Sequence, residues 1–193
     1  MTEWQPFEES KPMTRKRRFG FVLIFMVLFS VSYQVGSMQE VSEADANALM
    51  KQFEAIAQDI DGIGIFTHNL MLNILMFIPG VGFVWGMITS FQTGLAFSAF
   101  SSIEPMLKDF PALAILYLSP FGLMELFAYS IAMSRSYLMI KKLWKRQSLK
   151  TELRPVAFEI GIVVTLLLVG GLLEAYMIEW AMESGFSFVE MLK

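Results

Sequence analysis

A chain of 193 residues that is 55% hydrophobic, 17% charged and free of cysteine carries more apolar surface than one water-soluble domain of its size buries. It needs lipid as a second apolar solvent, and the missing thiols exclude disulfides, thiolate nucleophiles and thiolate metal sites. A net charge of −3 gives no ground for nucleic-acid binding, so the distribution of charge carries more than its sum.

Residues 1–18 are polar, contain Pro6 and Pro12, and end in the run Arg15, Lys16, Arg17, Arg18, which reads as a cytoplasmic tail. An uncharged stretch follows over 19–39, long enough for a first membrane span. A signal peptide is the competing reading of a basic start, an apolar run and the small residues Gly36 and Ser37, but this run is longer than a usual signal core and further apolar stretches follow it. Over 40–61 the chain turns acidic, with Leu49, Phe53, Ile56 and Ile60 on one helical face and Ser42 before Asp45 as an N-cap signal. An amphipathic extracytoplasmic helix is expected there, lying on the membrane surface or against the spans.

Residues 62–103 contain no Asp, Glu, Lys or Arg, and at about 1.5 Å per residue they can cross a hydrocarbon core of about 30 Å twice. Spans over 62–78 and 83–102 are expected, turning back at Pro79-Gly80-Val81-Gly82, where a tight hairpin and a pair of half-helices both fit. A fourth span is read over 111–140, interrupted by a kink or break at Ser119-Pro120. A basic cytoplasmic loop covers 141–155, a fifth span 156–180, and an acidic tail ends the chain at 182–193. The expected fold is therefore an all-α polytopic transmembrane bundle over 19–181, of about five spans with kinked or broken helices.

Lys and Arg fix the expected orientation. Five precede the first span and six lie in the loop after the fourth, eleven of the fifteen, against Lys51, Lys108 and Lys193 in the other connections. The positive-inside rule puts the N-terminus in the cytoplasm, and five crossings put the C-terminus outside. Arg135, near the inner end of the fourth span, is expected to snorkel, Trp180 and Tyr176 to sit at the outer interface, and Trp4, Phe7 and Trp144 to anchor at the inner one.

Ionised groups in hydrocarbon cost at least a few kcal/mol, so Glu125 in the fourth span and Glu174 in the fifth are the first candidates for function. Each can act as a proton or cation ligand, or can brace a broken helix through hydrogen bonds. The proline break ahead of Glu125 favours the brace. His68, Asn69 and Asn73 open the second span, the two amides sharing a helix face, and Gln92 lies in the third. Helix breaks or close packing are expected at Pro79, Gly80, Gly82, Gly86, Pro120 and Gly122, with Gly82 and Gly86 forming a GxxxG suited to close packing or dimerisation. One histidine supplies no metal site, and the common hydrolase, nucleotide and dinucleotide motifs are absent from the sequence, so no cofactor and no catalytic residue are expected.

The Asn-rich opening of the second span, the glycine-rich hairpin, the Pro-x-Gly-x-x-Glu kink and the late Glu-Ala-Tyr together resemble the SpoIIM (stage II sporulation protein M) family from about Ile65 to Met177. That family's Pro-His-Gly-x-x-Glu maps onto Pro120, Phe121, Gly122 and Glu125, with phenylalanine in place of the histidine, so a role needing an imidazole there does not carry over. Glu174, Ala175 and Tyr176 match its Glu-Ala-Tyr unchanged. The resemblance implies a membrane anchor of an envelope machine, since its best known member works beside peptidoglycan-degrading partners in engulfment, while the partners do not transfer with the fold. The leading expectation is a non-enzymatic scaffold or membrane-remodelling protein of the cell membrane, homo-oligomeric with a dimer favoured, with envelope or transporter proteins as partners. The runner-up is a permease or channel component whose polar path is lined by Glu125 and Glu174 with His68 and Asn69.

Overall fold

The computed structural model describes residues 13–57, 61–103, 107 and 110–184, which are helical with short connections and contain no strand. Helix α1 is Arg15–Ser37, α2 Glu43–Ala57, α3 Gly62–Leu75, α4 Val81–Ile103, α5 Ala112–Leu118, α6 Pro120–Trp144 and α7 Leu153–Ser184, with a single 3-10 turn at Lys150–Glu152 leading into α7. Trp4, Phe7, Ile60, the side chains of Phe53 and Ile56, and the tail from 185 lie outside the described residues.

Two helices are long and apolar enough to cross a membrane, α1 and the segment Lys150–Trp180, and α5 with α6 makes a third if that bent pair is one span. At 14 residues α3 is about 21 Å long, short of a full hydrocarbon core, and α4 has the length but is diluted by serine, threonine and glutamine.

Local chemistry explains the boundaries. Ser42 caps α2, its hydroxyl accepting from the Asp45 N–H at 3.2 Å and donating to Asp45 Oδ2 at 2.6 Å. Asp61 caps α3, accepting from the Gly64 N–H at 2.8 Å. The turn between α3 and α4 is a tight hairpin: Gly80 has φ +79°, and Gly82 lets the Met76 carbonyl approach to 1.9 Å from where a Cβ would stand. That turn is tied to α6, because Ser136 Oγ donates to Ile78 O at 2.6 Å and accepts from the Phe83 N–H at 3.3 Å.

The interruption expected in the stretch 111–140 is a full break between two helices. The chain breaks by 89° at Ser119, so α5 lies across the bundle and α6 starts afresh at Pro120. Ser119 ends α5 by donating to Ile115 O at 2.5 Å and caps α6 by accepting from the Gly122 N–H at 3.0 Å. Proline at the first turn of α6 costs no hydrogen bond, because that N–H has no helical partner in any case. A Cβ on Gly122 would stand 2.5 Å from Ser119 Oγ and 2.6 Å from Ile115 O, so the corner is built on glycine. Two further limits shift: α6 runs on through Lys141 and Lys142 to Trp144, and the helix expected from 156 begins at Leu153, which shortens the basic loop.

The core lies between α1, α4, α6 and α7. Phe25, Phe29, Tyr33, Leu126, Ala128, Ala132, Met133, Val163 and Leu167 are buried there. Helices α1 and α4 run parallel and touch backbone to backbone, Gly36 against Phe91 and Gly94 against Tyr33. Hydroxyls cross the same seam, Ser90 Oγ donating to Phe29 O at 2.5 Å and Ser32 Oγ to Met87 O at 2.8 Å. Small residues and hydroxyl-to-carbonyl bonds are what hold helices together where no hydrophobic effect separates helix from lipid.

Candidate functional site

Two polar sites sit inside this apolar frame, one near the Ser119 corner and one at the basic end. The first is built by α3, α6 and α7. Asn69 donates through its amide nitrogen to Glu125 Oε1 and accepts through its amide oxygen from the Tyr129 hydroxyl at 3.0 Å. Glu125 and Tyr129 are one turn apart on α6, so a single asparagine of α3 clamps two successive turns of its neighbour. Tyr129 is held from the other side by Phe29 of α1, the rings stacked with centroids 5.6 Å apart and planes at 26°. Glu174 on α7 lies close enough to Glu125 for the two carboxyls to act on each other electrostatically, and accepts no hydrogen bond from a described residue.

The other sequence candidates separate from this site. His68 and Gln92 are exposed, and among the described residues no hydrogen bond joins either to Glu125 or Glu174. Asn73 is fully buried one turn beyond Asn69, and its amide has no hydrogen-bond partner among the described residues. Gly82 and Gly86 are closely packed within the chain, Gly82 against the Met76 backbone and Gly86 against Met133, whose sulfur would stand 2.4 Å from an added Cβ. Pro79 and Gly80 shape the hairpin, where a side chain on Gly80 would also meet Ile140.

The second site was not anticipated. Arg135, expected to snorkel, is instead 5% exposed and paired. It donates to both oxygens of Glu159, from Nε to Oε2 at 2.7 Å and from Nη2 to Oε1, and from Nη1 to Glu152. Arg18 donates to the same Glu159, Nε to Oε1 at 2.7 Å and Nη2 to Oε2 at 3.0 Å, and also to Ser134 Oγ at 2.7 Å and Ile131 O at 2.9 Å. Lys142 completes the chain on Glu152. Two forked guanidiniums on one carboxylate thus fasten α1 and α6 to the start of α7. The available signal was the pair Glu152 and Glu159, seven residues apart at the edge of the last apolar run and the only acids between Glu125 and Glu174.

Asn69→Leu tests the first site. It leaves Glu125 and the Tyr129 hydroxyl without their partner in a part-buried apolar seam, and the expected cost is about 1–3 kcal/mol. Detergent-denaturation midpoints in bicelles check this, and Glu125→Gln, which keeps an acceptor for Asn69, is expected to cost less than Asn69→Leu.

The family model described as Stage II sporulation protein M (SpoIIM) matches residues 19–177, and the chain belongs to that family. No curated protein and no solved structure matches it.

Proposed function

We propose that this SpoIIM-family chain is a non-enzymatic, membrane-embedded scaffold of the cell envelope, which holds partner proteins, or the shape of the bilayer itself, in place. The observation that carries the reading is the Asn69 clamp: a part-buried carboxylate in the apolar length of α6 is engaged in joining α3 to α6, with Asn69 committed on both its amide atoms. A group fixed in that way braces the bundle, whereas a transport ligand must exchange partners at each cycle.

Five crossings, by α1, by α3 with its turn, and by α4, α6 and α7, are the membrane reading that fits the helix directions. α1 and α4 run the same way, and the α3–α4 turn reaches Ser136 and Ile140 near the basic end of α6. The basic end then faces the cytoplasm, and the acidic helix α2, which packs on α4, faces outward as a surface for partners. Gln92, an amide exposed on α4 in an apolar belt, supports a homodimer, because a second copy of the same amide supplies both a donor and an acceptor.

A permease is the second reading, favoured by one observation: Glu174 lies near Glu125 and accepts no hydrogen bond from a described residue, beside a helix broken at a right angle. Purification of the tagged protein from its native membrane with crosslinking and native mass measurement separates the two. The scaffold reading expects a stoichiometric envelope enzyme or transporter subunit to elute with it. Proton or cation flux in liposomes holding this chain alone, abolished by Glu125→Gln with the fold intact, would sink the scaffold reading in favour of the permease.

A further inference from the structure

The start of α7 carries a groove that none of these roles uses. It has a volume of about 510 Å³ and is lined by Ala157, Phe158, Gly161, Ile162, Thr165 and Leu166. These residues recur at helical spacing on the outward side of α7, where Phe158 is 70% exposed. Gly161 is its floor: nothing lies within 4 Å of the place where its Cβ would be, in contrast to Gly36, Gly86, Gly94 and Gly171, each pressed against a neighbouring helix. From Ala157 to Leu166 the groove is roughly 14 Å long, close to one leaflet of a hydrocarbon core of about 30 Å.

Charge identifies the occupant. Arg154 lies one turn before Ala157 and Phe158 on the same side of α7, and Lys150 one turn earlier again. Both are exposed, and neither shares in the network of Arg18, Arg135 and Lys142 with Glu152 and Glu159. Arg15, Lys16, Arg17, Lys145 and Arg146 are exposed at the same end, so this end of the bundle is strongly cationic. We infer that the groove seats an acyl chain of an anionic phospholipid, with its phosphate held by Arg154 and Lys150.

A second copy of the chain is the occupant this geometry disfavours. Two parallel helices meeting over Ala157, Gly161 and Thr165 would bring Arg154 against its own copy, a like-charge contact at the rim, whereas a phosphate neutralises the same cation. An anionic headgroup near such a surface is attracted by each nearby basic residue, and the groove adds the apolar contact of one chain. The inference uses the membrane-crossing reading of α7 but no orientation, so it stands or falls apart from the scaffold proposal.

The test is native mass spectrometry of the full chain exchanged into mixed micelles of phosphatidylglycerol and phosphatidylcholine in equal amounts. The wild type is expected to retain phosphatidylglycerol about tenfold over phosphatidylcholine, and Arg154→Gln to bring that ratio near one. Gly161→Leu fills the groove from open space, keeps the helix and is expected to remove the retained lipid while leaving the unfolding midpoint unchanged or higher. An unchanged lipid ratio in both variants overturns the inference. So does Gly161→Leu converting a dimer to a monomer with lipid retention unaltered, which would give the groove to a second copy.

Discussion

Glu159→Ala is expected to destabilise the protein by about 3–5 kcal/mol, read as a large drop in the detergent-denaturation midpoint in bicelles. The carboxylate accepts four hydrogen bonds, two from Arg18 and two from Arg135, and is itself buried. Its removal leaves two guanidiniums with one remaining acid, Glu152, and that acid is shared with Lys142. Arg18 keeps the Ser134 hydroxyl and the Ile131 carbonyl, which solvate it without neutralising it. Added salt is expected to change the wild-type midpoint little, because the pairs lie inside the fold and not on its surface. Lys145→Gln, which alters an exposed cation of the same end, is the control and is expected to fall within about 0.5 kcal/mol of wild type. A Glu159→Ala midpoint equal to the control's would mean that the network does not hold the helices.

Gly94→Leu is expected to prevent α1 and α4 from closing and to abolish accumulation of folded protein in the membrane. A Cβ on Gly94 would stand 2.0 Å from Tyr33 O and 2.8 Å from Ser37 N, and one on Gly36 would stand 2.1 Å from Phe91 O. Backbone atoms cannot swing aside as a flexible side chain does, so the helices must separate by more than 1 Å even for alanine, by the about 3.4 Å that a carbon needs from its neighbours. Separation then breaks the Ser90–Phe29 and Ser32–Met87 hydrogen bonds and loosens the core around Tyr33 and Phe29. Gly94→Ala is therefore expected to cost about 2–3 kcal/mol, at the severe end of overpacking. Gly161→Ala, a glycine facing open space, is expected to be neutral or to stabilise by up to about 1 kcal/mol through helix propensity. If Gly94→Ala and Gly161→Ala unfold alike, α1 and α4 do not touch in the way described.

The sites were legible to different depths. Glu125, Glu174 and Asn69 could be singled out because a carboxylate or an amide in a long uncharged run is costly wherever it lands. Tyr129 could not, since a tyrosine in an apolar helix is ordinary until its hydroxyl is seen to meet Asn69. His68 and Gln92 carried the same polar signal as Asn69 and turned out to face outward, because a few residues of difference rotate a side chain to another side of the helix. The proline at 120 announced a distortion but not its angle. A right angle arises because Ser119 ends one helix and caps the next, while Gly122 leaves room for both.

Helicity, the need for a membrane, the bias of charge to one end and the family likeness are written along the chain, because hydropathy, glycine and proline placement and Lys/Arg density are properties of neighbouring residues and can be summed in a window. The Arg18–Glu159 pair joins residues 141 positions apart, and Gly36 meets the Phe91 backbone across two intervening helices. Which charges pair and which glycines touch depend on the rotation and order of helices about one another. Those are settled only when all the helices compete for the same small area of contact, and no window along the chain contains that competition.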